Sequence, residues 1–249
     1  MSQEHVPGGF KNGAHSSGHD RIATAYDRLS FAQNIGPIVA LQENDLVMCA
    51  ADFDGLHPLN QVTRGYTLGD IGLATMLDIL EGDLPGLIEK AKIGSTRQHL
   101  GAYRLGTDEV IAVATGQFGL HNGSLATLTA LVNHTFHKTF QERVGIYREH
   151  YRLQHPNMNH SERQLYEASD LAHIYRRAGR IGVSMGLAFS RPGKTTEDIR
   201  QEAMQAMLLA KTERTKAYNK AHYNALARAA LRGAGMIIEK ITGESVERL

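Results

Sequence analysis

Two short acidic stretches contain the residues whose types and spacing could do chemistry. Asp52-Phe53-Asp54 ends an apolar run, and Asp108-Glu109 lies between two short strand-like runs. Carboxylates at the ends of neighbouring strands can share a divalent ion, because Mg²⁺ prefers hard oxygen ligands and leaves positions open for phosphate oxygens. Such an ion would assist phosphoryl or nucleotidyl transfer. The alternative for either stretch alone is a turn or cap residue that binds no ligand.

Strands are expected around both acidic stretches. Leu46 to Ala51 is a continuous apolar run, the pattern of a strand covered on both faces. Ala102 to Leu105 and Val110 to Ala114 flank Gly106-Thr107-Asp108-Glu109, which predicts a β-hairpin with the acidic pair at its turn. Ile181 to Phe189 predicts a further strand.

Helical spacing of apolar residues predicts the other elements. The expected helices cover residues 20–41 with a bend at Gly36-Pro37, 68–80, most of 122–180 with a break at 155–157, and 196–240 as two helices. We therefore expect an α/β (α+β) domain with a mostly antiparallel central sheet flanked by helices. Its expected divisions are a flexible tail over residues 1–18, a domain over 19–218 with an enlarged helical segment at 122–180, and a helical extension over 219–249.

The composition limits the classes of partner. The 249 residues contain 27 basic and 26 acidic side chains, so no overall field favours nucleic acid or an acidic membrane. No apolar run approaches the roughly 18 residues that span a bilayer, and the first residues do not resemble a secretory signal. The one cysteine, Cys49, lies in the predicted buried strand, which fits a reducing compartment. We therefore expect a cytoplasmic protein.

Five stretches resemble, in the same order, the motifs of the GGDEF family of nucleotidyl cyclases. Residues 52–70 are similar to the family segment Asp-x-Asp-x-Phe-Lys-x-x-Asn-Asp…Gly-His…Gly-Asp. Residues 103–110 are similar to its Gly-Gly-Asp-Glu-Phe signature, with Gly106-Thr107-Asp108-Glu109-Val110 in that place. The other similar stretches are residues 19–31, 183–188 and 206–211. The resemblance spans about residues 19–216 and implies the palm-like cyclase fold of a divergent member.

The resemblance also implies a role for each matching residue. Asp52, the backbone carbonyl of Phe53, Asp108 and Glu109 would hold Mg²⁺ or Mn²⁺. Glu109, together with Asp108, would act in catalysis by assisting deprotonation of a ribose 3′-hydroxyl. The family converts two GTP molecules into cyclic di-GMP across a two-fold dimer, so a homodimer that binds GTP or a related nucleotide is implied. The alternative is a vestigial acidic cluster that only shapes the turn.

The implied substrate-binding residues fall into two groups. Asn60 and Asp70 would read the guanine edge, because a carboxylate accepts hydrogen bonds from the ring NH and the exocyclic amine. Local capping is the alternative for both, since Asp70 begins a predicted helix. The phosphates would be bound by the backbone amides of Gly55, Leu56 and His57 and by the ammonium of Lys211.

Several positions depart from the family pattern. Thr107 replaces the second glycine, His57 replaces a lysine, and Thr215 lies where an arginine is expected after Lys211. Two lost cations would weaken triphosphate binding, since each charge-assisted contact contributes roughly 1.5–3 kcal/mol. Arg97-Gln98-His99-Leu100 ends in leucine where the family's product-inhibition motif has aspartate, so no feedback site is expected there. A catalytically degenerate module that binds GTP or a cyclic dinucleotide is therefore the main alternative function.

Other readings remain open from the sequence. A different palm-type enzyme that hydrolyses or polymerises nucleotides would use the same acidic residues, and a structural protein would use the segment 122–180 to bind a partner. That segment could also supply a dimer contact. His134 and His137 share a helical face that could bind zinc, but without a nearby Cys or acidic partner we expect surface or partly buried histidines. The basic run at 175–180 is read as a solvated helix end.

Overall fold

The computed structural model describes residues 27–38, 45–119, 121–178 and 181–242. The expected flexible tail and the first matching stretch before Asp27 lie outside the described residues. In chain order the elements are α1 (Arg28–Asn34), β1 (Leu46–Asp54), α2 (Leu56–Thr63), α3 (Thr67–Asp78), a π-helical turn (Ile79–Asp83), α4 (Leu84–Lys90), β2 (Gly94–Arg104), β3 (Glu109–Phe118), α5 (Ser124–Gln154), α6 (His160–Ala168), α7 (Leu171–Ala178), β4 (Gly182–Phe189) and α8 (Thr196–Thr242).

The four strands form one sheet in the order β2-β3-β1-β4. Each neighbouring pair is antiparallel. Helices cover both faces, so the expected α+β class with an antiparallel sheet is confirmed. Because neighbouring strands run in opposite directions, the last residues of β1 and β2 lie at the same end of the sheet as the first residues of β3 and β4.

β1 is a central strand, and all nine of its residues are buried. Successive side chains of a strand point to opposite faces of the sheet. Val47, Cys49 and Phe53 belong to the core beneath α3, α4 and α5, whereas Leu46 and Met48 belong to the core beneath α1 and α8. The same alternation continues through Asp52 and Asp54, which therefore face α8.

The core on the α5 side is the larger of the two. α5 contributes a buried residue at every fourth position from Leu128 to Val144. Phe136 of this row lies 5.5 Å from Phe53, measured between ring centroids. Gly72 of α3 is required here, because a Cβ at that position would lie 2.4 Å from the Phe53 ring. The strand and the two helices are thus packed around one aromatic side chain.

α8 lies directly on β4. Its buried residues Ile199, Ala203 and Met207 recur every four positions. At Gly186 of β4 an added Cβ would lie 2.2 Å from the backbone nitrogen of Met207, so only glycine permits this close approach. The contact places the next turns of α8, with Lys211 and Arg214, beside the end of β1.

Four sequence expectations differ from the structure. Residues 84–90 form α4, although no helix was expected between residue 80 and the hairpin. Residues 56–63 form α2 where a loop was expected, since Pro58 lies in the first helical turn, where backbone N–H groups have no partner within the helix. β2 is longer than expected because two register shifts, between Thr96 and Gln98 and between His99 and Gly101, break the alternation of its side chains. Residues 196–242 form one helix instead of two, because this stretch contains no proline and isolated glycines only lower helix propensity.

Within the described part of the chain, no helix combines the length and the apolar character needed to cross a bilayer.

Candidate functional site

The two acidic stretches lie side by side at one end of the sheet, where β1 ends and β3 begins. Asp52 of β1 and Glu109 of β3 are direct cross-strand partners. The backbone N–H of Phe53 also donates to the carbonyl oxygen of Asp108 at 3.1 Å. Directly opposed residues in an antiparallel pair have Cα atoms about 4.5–5.5 Å apart, which is within the reach of carboxylates that share an ion. The structure therefore brings together Asp52, Asp108 and Glu109.

The turn that carries Asp108 is held by its own backbone and by one arginine. The N–H of Leu105 donates to the carbonyl oxygen of Glu109 at 2.9 Å. Arg104 donates from Nε to the carbonyl oxygen of Gly106 at 3.0 Å and from Nη2 to that of Thr107 at 2.9 Å. Thr107 is exposed, so its side chain adds no bulk inside the turn.

Asp52 forms an ion pair with Lys211. The carboxylate residue is only 2% exposed, and Lys211 Nζ donates to Oδ1 at 2.7 Å and to Oδ2 at 2.8 Å. Burial raises the pKa of Asp52 to about 6, with a further contribution from the charge of Asp108, although the Lys211 bond acts in the opposite direction. Burial disfavours the Lys211 ammonium, but the bond to Asp52 and the nearby carboxylates raise its pKa overall.

Asp54 forms a second ion pair with α8. It is 7% exposed, and its Oδ2 accepts from Ser184 Oγ and from Arg214 Nη1, both at 2.8 Å. Arg214 Nη1 also donates to the carbonyl oxygen of Val183 at 2.7 Å, and Nη2 donates to Asn133 Oδ1 at 3.3 Å. Burial raises the pKa of Asp54, while Ser184 and Arg214 act against that shift. The pair is thus fixed to both β4 and α5.

Sequence reasoning missed this second pair. The sequence places Asp54 in the acidic stretch 52–54 but indicates no role for it. Arg214 lies one position before Thr215, where an arginine was expected, so the cation is present at a shifted position. The period of two in β1 predicts that Asp52 and Asp54 share one face of the sheet, and the spacing of Lys211 and Arg214 predicts that they share one face of a helix, but neither pattern pairs the two faces. No signal in the sequence connects Asn133 with them.

The implied base-binding residues lie at the corner between α2 and α3. Among the residues that the structure describes, Asn60 Oδ1 is buried without a hydrogen-bond partner. Gly69 packs against it, since a Cβ there would lie 2.1 Å from that oxygen. Asp70, in the first turn of α3, is half-buried. A buried acceptor without a donor is costly, so the corner suits a ligand that donates a hydrogen bond.

The implied phosphate-binding residues begin α2. Gly55 has φ 93°, a left-handed conformation that favours glycine, and it turns the chain directly from β1 into the helix. Leu56 is partly buried against the core, and His57 is exposed, with its Nε2 2.8 Å from Gln61 Nε2. The backbone amides of this first turn therefore lie next to the end of β1, whereas Lys211 contacts Asp52.

The acidic residues fit a divalent cation in donor type. Asp52, Asp108 and Glu109 lie at the same end of two neighbouring strands, and hard oxygen donors are the ligands that Mg²⁺ prefers. Yet no group of three His, Cys, Asp or Glu side chains in the described residues is arranged around a common metal position. Lys211 donates to both Asp52 oxygens, so the carboxylate that would hold the ion is paired with an ammonium in this structure.

The other features noted in the sequence lie outside this cluster. His137 Nδ1 lies 2.8 Å from Tyr175 Oη, and burial lowers the pKa of His137, with smaller contributions from Arg214 and His134. This contact fits the expected partly buried histidine. Arg97 is exposed on the edge strand β2. The basic run ends at residues 179–180, which lie outside the described residues.

Searches against protein-family models and against curated proteins found no match. Comparison with solved structures found similarity to the GGDEF domain of DgcB from Caulobacter crescentus in complex with c-di-GMP, at 16% identity over 76% of this chain and 86% of that chain, with a TM-score of 0.41. The FimX GGDEF domain from Pseudomonas aeruginosa is 15% identical over 76% of this chain and 90% of that chain, with a TM-score of 0.38. A diguanylate cyclase/phosphodiesterase from Caldicellulosiruptor saccharolyticus is 14% identical over 76% and 83%, with a TM-score of 0.37. The family that these solved structures represent is the GGDEF family, whose motifs the sequence resembles.

Proposed function

We propose that this protein is a Mg²⁺-dependent nucleotidyl cyclase that joins two GTP molecules into cyclic di-GMP or a related cyclic dinucleotide. The observation that supports the proposal is that Asp52, Asp108 and Glu109 lie at the same end of the paired strands β1 and β3. The turn at Gly55 and the first backbone amides of α2 follow directly after this end of β1. An acidic cluster beside a helix N-terminus is the arrangement that a metal-bound triphosphate requires.

Each residue of the cluster has a proposed task. Asp52, the Phe53 carbonyl, Asp108 and Glu109 hold Mg²⁺ or Mn²⁺, which when bound supplies charge neutralisation at the α-phosphate and activation of the attacking hydroxyl. Glu109 is half-buried at the start of β3, and its carboxylate accepts the proton of the ribose 3′-hydroxyl.

The nucleotide is bound at both ends. Asn60 Oδ1, which is buried without a donor among the described residues, accepts a hydrogen bond from the guanine amine. Asp70 lies one residue from Gly69, which contacts Asn60, and accepts from the same edge of the base. The amides of Gly55, Leu56 and His57 contact the phosphates, and Lys211 neutralises them.

The second candidate is a binding module that has lost turnover and senses GTP or a cyclic dinucleotide. One observation favours it: Lys211 donates to both oxygens of Asp52, the carboxylate proposed to bind the ion. The changes at His57 and Thr215 act in the same direction, because the resemblance implies cations that contact substrate at these positions.

The test is product formation from GTP and Mg²⁺. Pyrophosphate release and mass spectrometry of the products are measured for the wild type, Asp108→Ala and Glu109→Gln. Glu213→Gln is the control, because Glu213 is exposed and pairs with Lys216. A cyclic dinucleotide from the wild type and the control, but not from the two site variants, supports the cyclase.

Other outcomes contradict the cyclase in different ways. Nucleotide binding without product favours the binding module, whereas linear or hydrolysed products indicate another palm-type enzyme. If neither GTP nor Mg²⁺ changes the melting temperature, the site binds neither ligand, and a structural role for residues 122–180 is favoured. The homodimer, the cytoplasmic location and the absence of nucleic-acid and membrane partners remain predictions from the sequence; light scattering during turnover tests the first.

A further inference from the structure

We propose that Lys211 competes with the divalent cation for Asp52, so that metal binding and triphosphate binding promote each other. The proposal rests on the proposed function, because it takes Mg²⁺ and a nucleoside triphosphate as ligands of the same site. It adds a coupling between the two ligands and assigns that coupling to one side chain.

The geometry leaves little room for two cations at Asp52. One ammonium nitrogen lies within 2.8 Å of both carboxylate oxygens, and the residue is 2% exposed. A magnesium ion binds a carboxylate oxygen at about 2.0–2.1 Å. The ammonium and the metal would then lie within a few ångströms of each other, where like charges at a poorly solvated site repel strongly. Lys211 must therefore leave before the ion binds Asp52.

Lys211 can leave without movement of α8. Its side chain is 38% exposed, so solvent lies on one side of it. Arg214, three residues further along, keeps the helix attached through Asp54 and the Val183 carbonyl. Since both hydrogen bonds described for Lys211 Nζ go to Asp52, a rotation of the lysine side chain is sufficient to release the carboxylate.

The released ammonium then needs an anionic partner. With metal alone, the Asp52–Lys211 pair is broken and Lys211 gains only water in return. With metal and triphosphate together, the ion takes Asp52 and the phosphates take Lys211, so both charges stay compensated. Each ligand therefore strengthens the binding of the other by the same factor. Arg214 does not take part in this exchange, because it remains bonded to the carboxylate of Asp54 and to backbone.

The experiment measures Mn²⁺ binding to the full chain by electron paramagnetic resonance, with and without a non-reactive α,β-methylene analogue of GTP. Lys211→Gln removes the charge, and Lys216→Gln, on the same helix outside the site, is the matched control. Without nucleotide, we expect Lys211→Gln to bind Mn²⁺ about tenfold more tightly than the wild type, since a charge-assisted contact no longer has to be broken. The control should match the wild type.

Mn²⁺ binding in the presence of the GTP analogue provides an independent measurement. Addition of the analogue should raise Mn²⁺ affinity in the wild type and raise it much less in Lys211→Gln. Equal Mn²⁺ affinity of the wild type and Lys211→Gln overturns the competition while leaving the metal site and the cyclase proposal intact. Absence of Mn²⁺ binding in every variant overturns both. If circular dichroism shows that Lys211→Gln is unfolded, Lys211→Met is used in its place. The inference is also overturned if the analogue does not change the Mn²⁺ affinity of the wild type.

Discussion

Asn133 of α5 bonds to both backbone groups of Val183 in the edge strand β4. The N–H of Val183 donates to Asn133 Oδ1 at 2.9 Å, and Asn133 Nδ2 donates to the Val183 carbonyl oxygen at 2.8 Å. One side chain thus takes the place of a neighbouring strand at this position of the sheet edge. Because Val183 is opposite Phe53 in β1, the contact also supports the strand end that carries Asp52 and Asp54.

We predict that Asn133→Ala lowers the free energy of unfolding by about 2 kcal/mol, because the Val183 N–H loses its acceptor, the Val183 carbonyl loses one of its two donors and Arg214 loses one acceptor. Urea denaturation measures the change. Gln141→Ala, at an exposed position of the same helix, should change stability by less than about 0.5 kcal/mol. Equal stability of the two variants would contradict the assigned role.

Stability should fall with rising pH because of Asp52. Burial raises its pKa from the ordinary 3.8 to about 6, so the folded protein binds this proton more tightly than the unfolded chain. Protonation therefore stabilises the fold: the contribution is complete below about pH 4 and is lost as the pH rises through about 6. A shift of this size corresponds to about 3 kcal/mol.

The comparison with Asp52→Asn isolates this titration. The wild type should lose stability relative to the variant between about pH 4 and pH 7 in urea denaturation series. Asp83→Asn changes an exposed carboxylate away from the site and serves as the control. Parallel stability curves for the wild type and Asp52→Asn would show that Asp52 does not titrate in this range.

Gly106→Ala should displace the Glu109 carboxylate with little effect on stability. An added Cβ would lie 2.8 Å from Glu109 Oε2, the far end of a flexible side chain that can rotate away. We predict a loss of cyclase activity of about tenfold or more, with a melting temperature within a few degrees of the wild type. Thr107→Ala, in the same turn at an exposed position, should retain activity; equal loss in both variants would exclude a specific effect on Glu109.

Gly69→Ala should destabilise the corner between α2 and α3. Its Cβ would lie 2.1 Å from Asn60 Oδ1 and 2.7 Å from Leu56 Cδ1, so both packed side chains must move, at a cost of about 1–3 kcal/mol. Gly86→Ala in α4 is the matched control, because nothing lies within 4 Å of its added Cβ and alanine favours helix. Thermal denaturation should show opposite shifts for the two variants, and nucleotide binding should weaken only for Gly69→Ala.

Local patterns were sufficient to predict the strands that carry the acidic residues. The uninterrupted apolar run before Asp52 indicated a central strand, and the two runs around Asp108 indicated a hairpin. When a hairpin strand pairs antiparallel with its neighbour, the start of one strand lies beside the end of the other. The proximity of Asp52 to Asp108 and Glu109 therefore followed from these patterns. α2 was missed because it has only eight residues and contains Pro58, although Leu56, Leu59 and Val62 recur at helical spacing.

Long-range partners could not be read from the sequence. Asp54 is bonded to Arg214, which is 160 positions later, and Arg214 is also bonded to Asn133 in α5. No local periodicity relates residues from three separate elements, and their choice as partners is set by how α5 and α8 pack on the sheet. The ion pair between Asp52 and Lys211 was missed for the same reason, although both residues were singled out individually.

The alternation of side chains along β1 makes the site and the interior interdependent. A shift of this strand by one residue would turn Phe53 toward α8 and bury the aspartates among the aromatic side chains on the other face. Such a chain would lose its interior packing together with its acidic cluster. Faulty strand alignment is therefore expected to yield unfolded protein that quality control removes, and not an inactive but well-folded population.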